Sequence, residues 1–126
     1  MNWFILISGV VCAMTTIGHF AVGSRDFLAP MLAASIEPVP KKVMHCGFHY
    51  VSAFLILSSV FLLGIGSGVI RSDGASLLVR FISINFAAFA VWQIAIAATS
   101  GIPNGIFKLF QWVFFVIIAV TAWLGA

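Results

Sequence analysis

The sequence predicts an all-α fold: an integral membrane four-helix bundle, up-down-up-down, with a short interfacial helix between its first two spans. Three observations predict it. Of the 126 residues, 63% are hydrophobic and 7% are charged, more apolar surface than a water-soluble domain hides beneath a polar outer layer. Apolar runs recur four times, and a run of about 20 residues crosses the hydrocarbon core as a helix. The charged residues sit at the ends of those runs, where side chains meet lipid headgroups. A single transmembrane domain, residues 1–126, leaves no room for a separate soluble one.

Span one covers about residues 2–23. The opening Met1-Asn2-Trp3 lacks the basic segment of a secretory signal peptide, so this span is expected to be retained. Residues 24–42 follow as a loop containing Arg25, Asp26, Pro30, Glu37, Pro38 and Pro40. Within it, Phe27 to Ile36 carries apolar residues at near-helical spacing, which predicts a short helix lying on the membrane surface. Pro38 and Pro40 predict extended chain before span two. Span two, about 43–70, is longer than a bilayer requires, and Arg71-Ser72-Asp73-Gly74 turns the chain. Span three runs over about 75–99, the breaker-rich stretch Ser100 to Gly105 turns again, and span four covers about 106–124.

Even-numbered crossing puts both termini and the Arg71 turn on one side, B, and the 24–42 loop and the Gly101 turn on the other, A. Lys and Arg number four on side A with Lys108 included and two on side B, which favours side A as cytoplasmic. Without Lys108 the margin falls to one, so orientation stays open. Gly64 and Gly68 form a GxxxG pair, and Ser83 and Ala87 repeat small residues at that interval, as expected for close helix packing or a homo-oligomer contact. Trp3, Trp92, Trp112 and Trp123 lie toward span ends, where indole prefers the headgroup region. Basic residues do not cluster into a nucleic-acid surface.

The polar residues are distributed unevenly. At a helical rise of about 1.5 Å per residue, His19 lies about 6 Å inside span one and His49 about 10 Å inside span two, with His45 one turn shallower. Gln93 and Gln111 fall about 9 and 12 Å deep from the same side. All five belong to the side A half, where a buried imidazole or amide needs a partner. His45 and His49, four apart, stack on one helix face, a usual way for a helix to offer two imidazoles to a metal. His19 is the candidate third ligand from the neighbouring helix, and Cys46, Met44, Asp26 and Glu37 are candidates to complete the set. Three nitrogens with an open fourth position suit a reactive centre holding copper, zinc, iron or manganese.

Other uses of these residues stay open. Haem b takes one histidine from each of two helices, and His19 with His45 or His49 meets that demand. A quinone headgroup held by a histidine and Gln93 or Gln111 is a third, with Phe48, Trp92 and Trp112 as walls. The histidines and amides can also simply bond loop carbonyls or bridge helices, as in an accessory subunit of a larger membrane complex. A transporter ranks behind these, because no Asp or Glu lies inside a span to couple ions. Cys12 and Cys46 have no CxxC spacing, and no orienting carboxylate supports a Cys-His or Ser-His-Asp enzyme.

Two strings carry a resemblance: Gly18-His19-Phe20-Ala21-Val22-Gly23 closing span one, and Phe48-His49-Tyr50-Val51-Ser52 opening span two. Together the chain resembles small, uncharacterised bacterial four-helix membrane proteins with a glycine–histidine motif and a later aromatic–histidine–x–x–serine motif. The resemblance implies a multi-pass protein of the bacterial inner membrane, with His19 and His49 as the principal pair and His45 secondary. That group has an acid after the second glycine, where this chain has Ser24, and Asp26 is the substitute at hand. The expectation is a small membrane protein binding a transition metal or haem through its histidines, for redox chemistry or metal handling.

Overall fold

A computed structural model describes residues 1–126, all helix and connecting turns. Helix α1 spans Trp3–Ala33, α2 Pro38–Ser67 and α3 Ala75–Thr99, and these three are long and apolar enough to cross a membrane. The short α4, Gly105–Lys108, and α5, Trp112–Gly125, complete the chain.

The surface helix expected between spans one and two does not exist as a separate element. Helix α1 continues through it: α-helical over Trp3–Gly18, π-helical over His19–Leu28, and α-helical again over Ala29–Ala33. Apolar periodicity cannot separate a helix that ends and restarts from one that widens its turn. Pro30 is tolerated because it falls at the start of the α-helical return. Between α1 and α2 only residues 34–37 are not helical. Pro38 and Pro40 are not extended chain but part of the first turn of α2, where a missing N–H costs nothing.

Side-chain bonds fix the helix directions. At the side B end, the Asn2 carboxamide oxygen caps α1 by accepting from Ile5 N, 3.3 Å away. Its Nδ2 donates to Gly125 O at 2.8 Å, and Asn2 N donates to Gly66 O at 2.8 Å. One residue thus ties the start of α1 to the ends of α2 and α5, both antiparallel to it. Ser83 Oγ donates to Ala119 O at 2.7 Å, and the Arg80 guanidinium sits over Trp123 at 5.6 Å, so α3 is antiparallel to α5. The packed order is α2, α1, α5, α3.

The core contains Ile5 and Cys12 of α1, Leu55 and Leu62 of α2, Phe86 of α3 and Ile118 of α5. Helices α2 and α3 approach each other mainly through aromatic rings, with Phe54 5.5 Å from Phe86 and 5.4 Å from Phe89. The closest helix approach is between α1 and α2. A Cβ on Gly9 would lie 2.7 Å from Leu63 N, and one on Gly66 would lie 2.5 Å from Leu6 N. Both glycines belong to the α1–α2 contact. The Gly64 and Gly68 pair does not: Gly64 sits under its own turn's Ile70, and Gly68 ends α2 at φ +83°. Ala87 is exposed, while Ser83 is buried.

The fourth expected span is interrupted. Helix α4 stops at Lys108, Leu109 takes φ −100° and ψ 58°, and α5 starts at Trp112. Helix α5 has 14 residues, about 21 Å at the helical rise, which is short of the ~30 Å hydrocarbon core. Neither Gly nor Pro marks this break in the sequence. What sustains it arrives from elsewhere in the fold, since Gln93 Nε2 of α3 donates to Leu109 O at 3.2 Å. Trp112 Nε1 donates to Ile106 O at 3.0 Å. Carbonyls freed by the break are met by side chains, as an apolar surrounding demands.

Candidate histidine site

The widening of α1 begins at His19 itself, and it brings the ring onto α2. His19 stacks on Phe48 with centroids 4.1 Å apart and planes at 20°. Its Nε2 lies 2.9 Å from Ser52 Oγ and 3.3 Å from Phe48 O. Because the Ser52 hydroxyl donates to Phe48 O at 3.0 Å, the consistent assignment has His19 Nε2–H as donor to Ser52 Oγ. Gly23 leaves room beside the pair, since a Cβ there would lie 3.3 Å from Phe48 Cε2 and 3.7 Å from His19 Nδ1. The glycine–histidine and aromatic–histidine–x–x–serine strings are therefore packing partners, meeting through His19, Gly23, Phe48 and Ser52.

His45 and His49 form a different pair. Their Nε2 atoms are 3.3 Å apart, with ring centroids at 5.1 Å, on the outer side of α2 where His49 is exposed. The Phe48 ring touches both sets, 4.1 Å from His19 and 5.5 Å from His49 in an edge contact. No group of three or more His, Cys, Asp or Glu side chains converges on one point. The expected tripod of His19, His45 and His49 is thus divided, with one ring bonded inward and two paired outward. Asp26 is paired with the neighbouring Arg25 at 2.6 and 3.0 Å rather than with a histidine.

Gln93 and Gln111 meet each other instead of the histidines. Gln93 Nε2 donates to Gln111 Oε1 at 2.7 Å as well as to Leu109 O. The two amides bridge α3 to the break before α5. Gln93 also lines a groove with Val51, Phe89, Trp92 and Leu109, so Trp92 is beside one amide but Phe48 belongs to the other site. Sequence reasoning missed the Leu109 carbonyl, because a backbone group freed by a helix break leaves no mark in residue identity. Cys46 is exposed beside Tyr50 and Lys42, whereas Cys12 is buried with its thiol 3.7 Å from Leu55 O.

The outward pair has the dimensions of a chelate. Two imidazole nitrogens each about 2.0–2.1 Å from one tetrahedral ion stand about 3.3–3.4 Å apart. The His45–His49 separation of 3.3 Å therefore serves equally for a shared proton between neutral rings and for a metal ion replacing that proton. No protein-family model, curated protein or solved structure matches the chain.

Proposed function

We propose that this is a multi-pass integral membrane protein, a four-helix bundle running up-down-up-down, that binds a transition-metal ion through His45 and His49 near one membrane face. The carrying observation is the 3.3 Å Nε2–Nε2 separation on an exposed helix face. Depth supports it. Helix α2 has 30 residues, about 45 Å of length, against a hydrocarbon core of ~30 Å. With the Asn2–Gly66–Gly125 end at one interface, the opposite interface falls about 20 residues away, near Cys46 on α2 and near Gly23 on α1. His45 then sits at the boundary, within reach of ions from water, and His49 lies about one turn beneath it. Arg25 and Asp26 lie just outside the hydrocarbon, as charged groups require. The fourth crossing is the broken α4–α5 unit. The resemblance carried by the two histidine strings favours a bacterial inner membrane.

Imidazole ligands suit zinc, copper, iron and nickel, and the pair leaves positions free for other donors. The test is calorimetric titration of the detergent-purified protein with Zn²⁺, Co²⁺ and Cu²⁺ beside a His45→Ala/His49→Ala variant. Saturable binding lost in the variant is the expected result. Equal binding by both proteins overturns the proposal. A second reading, an accessory subunit with no ion of its own, is favoured by the in-chain partners of His19, Gln93 and Gln111. It predicts no saturable binding by either protein.

A further inference from the structure

The chelate supplies two nitrogens, and no third His, Cys, Asp or Glu of the same chain joins them. A tetrahedral ion held by protein needs four ligands in a closed site. Two copies inserted in the same orientation can be related by a two-fold axis along the membrane normal. Their α2 helices then run parallel, and equivalent residues of the two copies lie at equal depth.

The face of α2 below the histidines carries a continuous exposed stripe that a second copy can meet. His49, Ala53, Ile56 and Val60 follow at intervals of four, three and four, and all are exposed, Ile56 at 44% and Val60 at 56%. That mean of about 3.7 residues keeps the stripe on one side of a single α-helix. At about 100° per residue the stripe is turned one residue step, about 100°, from the stripe of Phe48, Ser52, Leu55 and Ser59 that packs inward. Ala53, one turn from His49, lets the backbones draw close where the ligands must meet. Lipid gives apolar helix faces little reason to associate, so the seam alone is weak, and the ion supplies what it lacks. The opposing effect is the approach of two Lys42 side chains one turn above, long enough to splay toward headgroup phosphate.

Resting on the metal-binding reading above, we propose that the ion is shared: His45 and His49 of two copies close one four-nitrogen site and join the protein into a metal-dependent dimer. The site is structural rather than open, and its role is assembly.

The test combines native mass spectrometry with sedimentation of the full chain in detergent, with Zn²⁺ and after EDTA. Expected are one ion per two chains, a doubled mass with Zn²⁺ and reversion to monomer with EDTA. The His49→Ala variant stays monomeric, and its metal-free melting curve matches the parent because the side chain is exposed. Ala53→Phe keeps both ligands but crowds the seam, and raises the dimer dissociation constant by about ten-fold or more. A monomer holding one ion per chain overturns the shared site while leaving the metal-binding reading intact. A dimer indifferent to EDTA overturns the bridging role. Absence of bound ion overturns both.

Discussion

Replacing Gly66 by Ala tests the closest helix contact in the molecule. The new Cβ would stand 2.5 Å from Leu6 N, 2.7 Å from Leu6 Cα and 3.0 Å from Ile5 C, all backbone atoms of α1. No side chain can rotate away, so α1 and α2 must separate by about 1 Å to restore van der Waals distance. That movement stretches the Asn2 N to Gly66 O bond, now 2.8 Å, out of hydrogen-bonding range. Overpacking of this kind costs about 1–3 kcal/mol, and the lost hydrogen bond adds about 0.5–1.5 kcal/mol. Removing a glycine from a helix returns about 1 kcal/mol. The net expectation is a destabilisation of about 0.5–3.5 kcal/mol. Gly47→Ala is the control, since a Cβ there meets nothing within 4 Å and only the gain in helix propensity remains. Reversible unfolding in mixed dodecylmaltoside and dodecyl sulfate micelles, followed by far-ultraviolet circular dichroism, measures both. Equal stabilities for the two variants would refute the close approach of α1 and α2 at Gly66.

Gln93→Leu removes both donors from the helix break and leaves Leu109 O unpaired. A loss of about 1–3 kcal/mol is expected in the same unfolding assay, with faster amide exchange around Leu109–Gln111. Ser83→Ala deletes the 2.7 Å bond to Ala119 O and should cost about 0.6 kcal/mol, the usual worth of such bonds in membrane bundles. Bound metal should be released as the solution is acidified and regained as it is made neutral, because only the unprotonated imidazole ligates. Equilibrium dialysis across pH checks the sign, and tighter binding in acid would exclude the histidines as ligands. Cysteine replacements at Ser35 and Ser100 should label from one membrane side and Ser72 from the other. Labelling of Ser35 and Ser72 from the same side would exclude the alternating topology.

The long helices were legible because each is a long apolar run: α3 has the expected limits, 75–99, whereas α2 begins at Pro38 rather than at 43 and ends at Ser67 rather than at 70. The side A histidines were legible as neighbours in depth, but their pairing was not. Depth follows from counting residues, whereas the side a ring faces depends on helical phase, and the π-helical turn beginning at His19 alters that phase. The same widening hid the continuity of α1 beyond Gly23. The break at Leu109 depends on Gln93, sixteen residues earlier on another helix, so no local pattern signals it. Gly66 rather than Gly64 proved to be the packing glycine because only the crossing point of α1 and α2 decides which glycine a neighbour touches.

Metal affinities of the three single variants His19→Ala, His45→Ala and His49→Ala test the division of the histidines most directly. His45→Ala and His49→Ala should each abolish saturable binding, and the exposed His49→Ala should leave metal-free stability within about 0.5 kcal/mol of the parent. His19→Ala should bind metal as the parent does. It should lose about 1–2 kcal/mol of stability with the Ser52 bond and the Phe48 stack. Loss of binding in His19→Ala with binding retained in His45→Ala would contradict the outward chelate and restore His19 as a ligand.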